Sequence, residues 1–252
     1  MDLGLKNKVV IVTGGAKGIG AAISATFARE GAKVVVCYRS APEACEAFIQ
    51  SLRDKYQADC IGIQGDLSDM GVVQKIFDRT QEVFGAPDIL VNNAGGAKTT
   101  MLVDISLEEW NNTLKGNVTA MMYMSRAFAE RVIPTKRGGR IVNILSKVAV
   151  STTSKGRACY VSNKTAEMGL TRQLAVDLVE HDILVNGILP GTVLTDINRN
   201  MPNLDAKAAR MPRKRMIDAQ EIADATVFVA SELSGAMVGS MVDCTGGLLL
   251  GF

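Results

Sequence analysis

The sequence predicts a doubly wound α/β fold, a mostly parallel sheet with helices on both faces, and three features point there. Short β-branched runs alternate with helix-length stretches along the whole chain. The first of these runs enters a glycine-rich turn and leaves it in a helix. No Pro/Ser-rich linker or change of composition divides the 252 residues, so a single domain over residues 1–252 is expected.

The first run, VVIVT at 9–13, is continuously apolar rather than alternating, which suits a strand buried on both faces. A helix expected at 18–30 follows it. KVVVCY (33–38), CIGIQ (60–64), DILVN (88–92), RIVNIL (140–145), ILVNGIL (183–189) and SMVDC (240–244) repeat the strand signal. Between them lie helix-length stretches at 42–56, 69–84, 117–133, 158–180 and 219–232. Parallel neighbours need a crossover connection, and steady strand-helix alternation supplies one each time. The least regular segment, 194–217, follows the strand end ILPG, where ligands of open α/β sheets bind, and is expected to act as a lid or substrate loop. Its basic cluster of Arg210, Arg213, Lys214 and Arg215 suits a solvated or cofactor-facing loop better than a nucleic-acid patch.

Composition narrows the function. Hydrophobic residues are 47%, charged ones 21%, and 28 basic against 26 acidic side chains leave a formal charge of +2, which excludes a disordered chain and gives no nucleic-acid footprint. The N-terminus carries Asp2, Lys6 and Lys8 and its apolar run is short, so neither a signal peptide nor a membrane span is expected. Cys37, Cys45, Cys60, Cys159 and Cys244 form no CxxC pair, which suits reduced thiols in a cytoplasmic protein. With one histidine, His181, a zinc site or a His-based triad lacks its parts.

TGGAKGIG, Thr13 to Gly20, stands between the first strand and the first helix. Glycines let the backbone turn tightly against a pyrophosphate, and the helix N-terminus stabilises its charge. The spacing Gly14, Gly18, Gly20 differs from GxGxxG. At the end of the second strand the chain reads Cys37, Tyr38, Arg39, Ser40, with no carboxylate to repel a ribose 2′-phosphate. Arg39 and, inside the turn, Lys17 offer positive charge instead, so NADP(H) is expected in preference to NAD(H). The alternative for Arg39 is a solvated strand-end residue.

YVSNK places Tyr160 and Lys164 four residues apart, on one face of a helix. A neighbouring ammonium favours the phenolate and makes tyrosine a usable acid near neutral pH. The pentapeptide alone also fits an ordinary amphipathic surface helix.

TGGAKGIG, NNAG (92–95), Asn117 opening a helix, Ser146, YVSNK and PGTVLTD (190–196) occur in that order, and with them the whole chain resembles the short-chain dehydrogenase/reductases. The resemblance implies one Rossmann-like domain with a seven-stranded sheet, assembled as a homotetramer or dimer through the helices at 117–133 and 158–180. It implies cofactor contacts from Gly14, Lys17, Gly18, Ile19, Gly20 and Arg39, from Asp66 and Leu67 at the adenine, and from Asn93, Ala94 and Gly95 at the neighbouring ribose. Pro190, Gly191, Val193 and Thr195 would lie at the nicotinamide, the last two at its carboxamide. In the implied mechanism Tyr160 is the general acid or base, and Lys164 lowers its pKa and reaches the ribose. Ser146 bonds the carbonyl oxygen, and Asn117 holds a water linking Lys164 to solvent. Taken singly, Ser146 also fits a strand-end cap and Asn117 a helix N-cap.

The chain departs from the family's pattern in two places. Ser146 and Tyr160 are fourteen positions apart, one more than is frequent, which reshapes the substrate wall. Thr245 stands where Asp or Asn commonly precedes the two glycines. From Ile141 to Ala166 the segment carries Lys147, Lys155, Arg157 and Lys164 and no acid, and Lys98 follows NNAGG. Such a mouth suits an anionic or thioester-linked substrate, or is simply solvated. Carrier-linked 3-oxoacyl groups, sugars, steroids and secondary alcohols all stay open. Against an NADP(H)-dependent oxidoreductase stand a catalytically weak nucleotide sensor or scaffold and an NAD-preferring alcohol dehydrogenase. An epimerase or dehydratase would need an added substrate domain for which the chain has no room.

Overall fold

The computed structural model describes residues 2–152, 154–195 and 203–250. The seven apolar runs form seven strands: β1 (Val9–Thr13), β2 (Lys33–Tyr38), β3 (Cys60–Gln64), β4 (Ile89–Asn92), β5 (Gly139–Ile144), β6 (Ile183–Pro190) and, last in the chain, β9 (Met241–Cys244). They make one sheet in the order β3-β2-β1-β4-β5-β6-β9. Every pairing in it is parallel. Two short strands, β7 (Val193–Leu194) and β8 (Ile217–Asp218), pair with each other outside it. The helices are α1 (Gly18–Arg29), α2 (Pro42–Tyr56), α3 (Met70–Phe84), α4 (Leu107–Leu114), α5 (Ala120–Val132), α6 (Ala158–Leu178), α7 (Leu204–Ala209) and α8 (Ala219–Ala230).

Side chains alternate across a strand, and β1 shows how the core follows from this. Val10 and Val12 enter an apolar cluster with Ile23 and Phe27 of α1 and Ile222 and Val227 of α8. Ile11 enters the opposite cluster with Phe77 of α3, Met124 and Phe128 of α5 and Leu178 of α6. A strand buried on both faces must be apolar throughout, which is why the runs are continuous. The chain winds outward from β1 to β3, then returns to start β4 on the other side of β1. That reversal opens a crevice at the carboxyl ends of β1 and β4.

Some elements differ from expectation. The helix expected at 117–133 is the end of a longer one: α4 runs through a π-helical turn, Lys115–Thr119, directly into α5. Asn117 therefore lies inside a helix and does not open one, so the N-cap alternative falls. The helix expected at 158–180 ends at Leu178, continues as a 3₁₀ turn over Val179–His181, and stops at Asp182, whose φ is 55°.

In the expected lid, 194–217, residues 196–202 lie outside the described part, including Asp196 of the PGTVLTD motif. The remainder holds α7 and β8. Its basic cluster is largely engaged by protein. Arg215 grips Glu221 with two bonds of 2.6 Å, Arg213 adds one of 3.2 Å, and Lys214 donates to the Ala209 carbonyl at 3.1 Å. Among the described helices none is long and apolar enough to cross a membrane.

Candidate active site

The crevice widens into a cavity of about 870 Å³. Gly14, Lys17, Gly18, Ile19 and Gly20 line one end, with Arg39 from the end of β2 and Asp66 and Leu67 just beyond β3. Asn93, Ala94 and Gly95 follow β4 along the middle, and Asn117, Tyr160, Lys164 and Thr195 stand at the far end. Fifteen of the residues expected from sequence thus share one space. Ser146, Pro190, Gly191 and Val193 are not among its lining residues.

The phosphate end is a tight glycine turn feeding a helix N-terminus. A Cβ on Gly20 would fall on the Gly14 carbonyl oxygen, so only glycine lets the turn close on itself. Thr13, at the last position of β1, braces the turn against β4. Its hydroxyl donates to the Val91 carbonyl at 3.3 Å and accepts from the Asn93 and Ala94 N–H groups at 2.8 and 2.9 Å. The Asn93 amide donates to the carbonyls of Thr13 and Gly14 at 2.9 and 3.1 Å. The first N–H groups of α1 have no intrahelical partner, and Lys17 to Gly20 line the cavity there. This cradle fits a pyrophosphate.

Arg39 and Asp66 face each other at 4.0 Å, and both are well exposed. The Ser68 N–H bonds an Asp66 oxygen at 2.9 Å. That bond, then the Ser68 hydroxyl and Arg39, hold the Asp66 carboxyl below its usual range.

At the other end the Asn117 side chain clamps a neighbouring loop. It accepts from the Gly96 N–H at 2.8 Å and donates to the Gly96 and Thr113 carbonyls at 2.9 and 2.7 Å. A Cβ on Gly95 would lie 2.5 Å from the Asn117 Oδ1 and 3.7 Å from the Lys164 Nζ, so this glycine is what lets the three meet. The Ser146 hydroxyl accepts from the Val148 N–H at 3.3 Å, capping the 3₁₀ turn Lys147–Ala149. The strand-end cap is thus realised.

Lys164 does not stand free in the cavity. It is 4% exposed, and its Nζ donates to the Ile144 carbonyl at 3.0 Å and to the Glu167 carboxylate at 2.7 Å. Burial pushes the Glu167 carboxyl up from its ordinary range, and Lys164 pulls it partly back. The acid-free stretch seen in the sequence ends at Ala166, one residue short of this carboxylate. The i, i+3 spacing of Lys164 and Glu167 was its visible signal.

The cavity wall that includes Tyr160 is mixed in charge rather than basic. Lys98 lines it, but so do Glu108 and Glu109 from α4, whose presence the sequence did not disclose. Glu109 accepts from the Thr100 hydroxyl at 2.7 Å and ties this wall to the loop after β4. Arg157, one residue before α6, lays its guanidinium 4.5 Å from the centre of the Tyr160 ring and donates to the Thr99 hydroxyl at 3.2 Å.

Comparison with known proteins agrees with this geometry. Residues 8–205 match the family model for short chain dehydrogenases. The 3-oxoacyl-[acyl-carrier-protein] reductase of Escherichia coli is 32% identical over 251 residues, covering 98% of this chain and 100% of its own. L-sorbose reductase from Gluconobacter frateurii, solved with NADPH and L-sorbose, superposes with a TM-score of 0.93 at 28% identity, over 100% of both chains. A short chain dehydrogenase from Burkholderia cenocepacia, solved with NADP, superposes with a TM-score of 0.89 at 34% identity over 96% of this chain and 98% of its own. A glycine-turn cradle and a Tyr-Lys helix in one cavity, on a seven-stranded parallel sheet, and a match spanning most of the chain lead to one conclusion: the chain belongs to the short-chain dehydrogenase/reductase family.

Proposed function

We propose that this chain is an NADP(H)-dependent oxidoreductase that interconverts a ketone and a secondary alcohol, with Tyr160 as general acid and base. The observation that carries the reading is the single cavity joining the glycine turn and Arg39 to Tyr160, Lys164 and Asn117. NADPH complexes of the sorbose reductase and an NADP complex of the Burkholderia protein support the choice of nucleotide. So does the strand end itself, where Arg39 and Lys17 line the cavity and the one acid lining it there, Asp66, already faces Arg39.

The cofactor supplies the hydride. The chain's own residues handle the proton and the oxygen. Tyr160 gives its phenolic proton to the carbonyl oxygen during reduction and takes one back during oxidation. Lys164, a turn along the same face of α6, favours the phenolate by its charge. Ser146, which does not line the cavity, takes the developing oxyanion only on the strength of the family resemblance; its hydroxyl accepts from Val148, which leaves its own proton to donate. Asn117 holds the loop at Gly96 through its amide, which sets the wall beside Lys164.

The substrate wall favours a polar carbonyl compound. Ser106, Glu108, Glu109, Asn112 and Thr113 line it, and Lys98 and Arg157 lie on the same side as Tyr160. A keto-sugar or a 3-oxoacyl thioester meets hydrogen-bonding partners there more readily than a ketosteroid does. The whole chain acts as one domain and assembles with copies of itself, as a dimer or tetramer, through α5 and α6. Its thiols suit the cytoplasm: all five are free, and burial pushes Cys37 up to about 12 and Cys60 to about 11, leaving them protonated and inert.

Turnover of NADPH against ketoses, diketones, 3-oxoacyl thioesters and ketosteroids, with NADH as control, tests the reading. A Tyr160→Phe variant should bind NADPH normally and lose ~10² or more in turnover. Near wild-type reduction by that variant would remove Tyr160 from the mechanism. Binding of NADPH by the native protein with no turnover on the panel would instead favour a sensor.

A further inference from the structure

The least expected group in the site is a buried acid behind the catalytic lysine. Glu167 is 3% exposed, and its carboxylate lies 2.7 Å from the Lys164 Nζ. Burying both charges is costly unless they are paired, so the pair is held tightly. An ammonium has three N–H donors. Glu167 takes one and the Ile144 carbonyl, at 3.0 Å, takes another, which leaves a single donor for anything in the cavity.

The helix backbone at Glu167 is tied to the sheet as well. The Thr171 hydroxyl donates to the Glu167 carbonyl at 2.7 Å and accepts from the Asn143 amide at 3.0 Å. Asn143 in turn accepts from Asn92 at 2.9 Å, so a buried polar chain runs from the centre of the sheet to Glu167. Tyr160, Lys164 and Glu167 stand at i, i+4 and i+7 on α6, one face of a helix.

We propose that Glu167 is a positioning residue of the carbonyl site: its carboxylate fixes the Lys164 ammonium against Ile144 and offsets part of the positive charge that Lys164 presents to Tyr160. This rests on Tyr160 being the proton donor. Other charges surround the helix. Arg157 lies on the Tyr160 ring, Glu108 and Glu109 come from α4, Lys115 from the π turn, Lys147 from the turn after β5, and Lys98 and Lys17 line the cavity. Arg126, Glu130 and Arg131 of α5 are paired with Glu130, Arg126 and Asp78. β6 contributes none, and Glu180 and His181 follow the other end of α6. Lys164 is the one charge that displaces Glu167, and burial accounts for the rest.

Glu167→Gln keeps the shape and a hydrogen-bonding oxygen but removes the charge. Glu167→Leu removes both, and thermal melting checks that each variant folds. The Tyr160 phenol can be followed without cofactor or turnover, by the absorbance of tyrosinate in each protein minus that in its Tyr160→Phe counterpart. With the offsetting carboxylate gone, Lys164 acts on Tyr160 undiminished. The Tyr160 titration in Glu167→Gln should then move to lower pH by about half a unit or more, a threefold or larger change in the phenol's ionisation constant. The pH-rate curve for alcohol oxidation should move the same way. A titration that stays in place, or moves up, in a folded Glu167→Gln or Glu167→Leu protein overturns the inference. The parent reading fails separately: it falls if Tyr160→Phe alone keeps its activity, whatever Glu167 variants do.

Discussion

Arg39 and Asp66 show how much of a binding preference can rest on one exposed pair. At 4.0 Å, with side chains 74% and 51% exposed, the two are screened by water, and their attraction is weak. A phosphate ester, with more charge and a geometry that matches the guanidinium fork, competes well for Arg39. Arg39→Asp should therefore weaken NADPH binding by about tenfold or more while sparing NADH, as read by fluorescence titration of both nucleotides. Unchanged NADPH affinity would remove Arg39 from the cofactor site. At this scale much of the site was legible, because Tyr160, Lys164, Asn117 and the glycines occur at spacings that local geometry explains. Glu167 escaped because it is a polar residue on a helix, a position that is usually solvated, and only three-dimensional packing reveals that it is buried. Ser146 was legible both as a residue and as a cap, but not its partner, Val148, which is chosen by the turn that follows β5.

Glu221 is the residue on which the end of the 203–218 segment turns into a helix. It closes a capping box with Asp218 at the start of α8, accepting from the Asp218 N–H at 2.9 Å, and also receives Arg215 and Arg213. The Arg215 bond, then the Asp218 N–H, drives its carboxyl down to about 2. A carboxyl whose folded pKa is depressed stabilises the protein above its unfolded value and loses that contribution as pH falls through the folded one. Glu221→Gln should accordingly lower the melting temperature by roughly 1–3 °C at pH 7. The difference should shrink between about pH 4.5 and pH 2, and added salt should shrink it too. A difference independent of pH across that window would count against the ion pair. Element by element, the seven strands were readable from apolar runs, since burial on both faces leaves a strand no other composition. Helix α4 was not: it has eight residues, Leu107 is 81% exposed, and none of its residues is buried, so no buried stripe marks it. The join of α4 and α5 was missed for a different reason, because a π turn keeps the chain helical while changing its hydrogen-bond spacing.

At the scale of the molecule, α5 and the end of α6 leave apolar side chains in water. Met122 is 37% exposed, Val176 70% and Val179, in the turn after α6, 45%. Exposed apolar groups on helices favour burial against a partner. Light scattering should give two or four times the 26.9 kDa of one chain, and Val176→Lys should shift the mass toward one. A single-chain mass for the unaltered protein would remove the assembly. The fold class was the most legible property of all, since strand-helix alternation admits few arrangements, whereas the order of strands depends on where the winding reverses. That reversal has a further meaning. β1 and β4 meet along Val10–Ile89, Ile11–Leu90 and Val12–Val91, and the strands β1 to β3 lie on one side of this seam, β4, β5, β6 and β9 on the other. The side chains proposed to meet the nucleotide, Lys17, Arg39 and Asp66, all precede the seam, and those proposed to give, take or support the proton at the carbonyl, Tyr160, Lys164, Asn117 and Glu167, all follow it. Selection can therefore retune either half of the polypeptide while the other keeps its task, so one ancestral scaffold can exchange its reductant without surrendering its acid, or its substrate without surrendering its reductant.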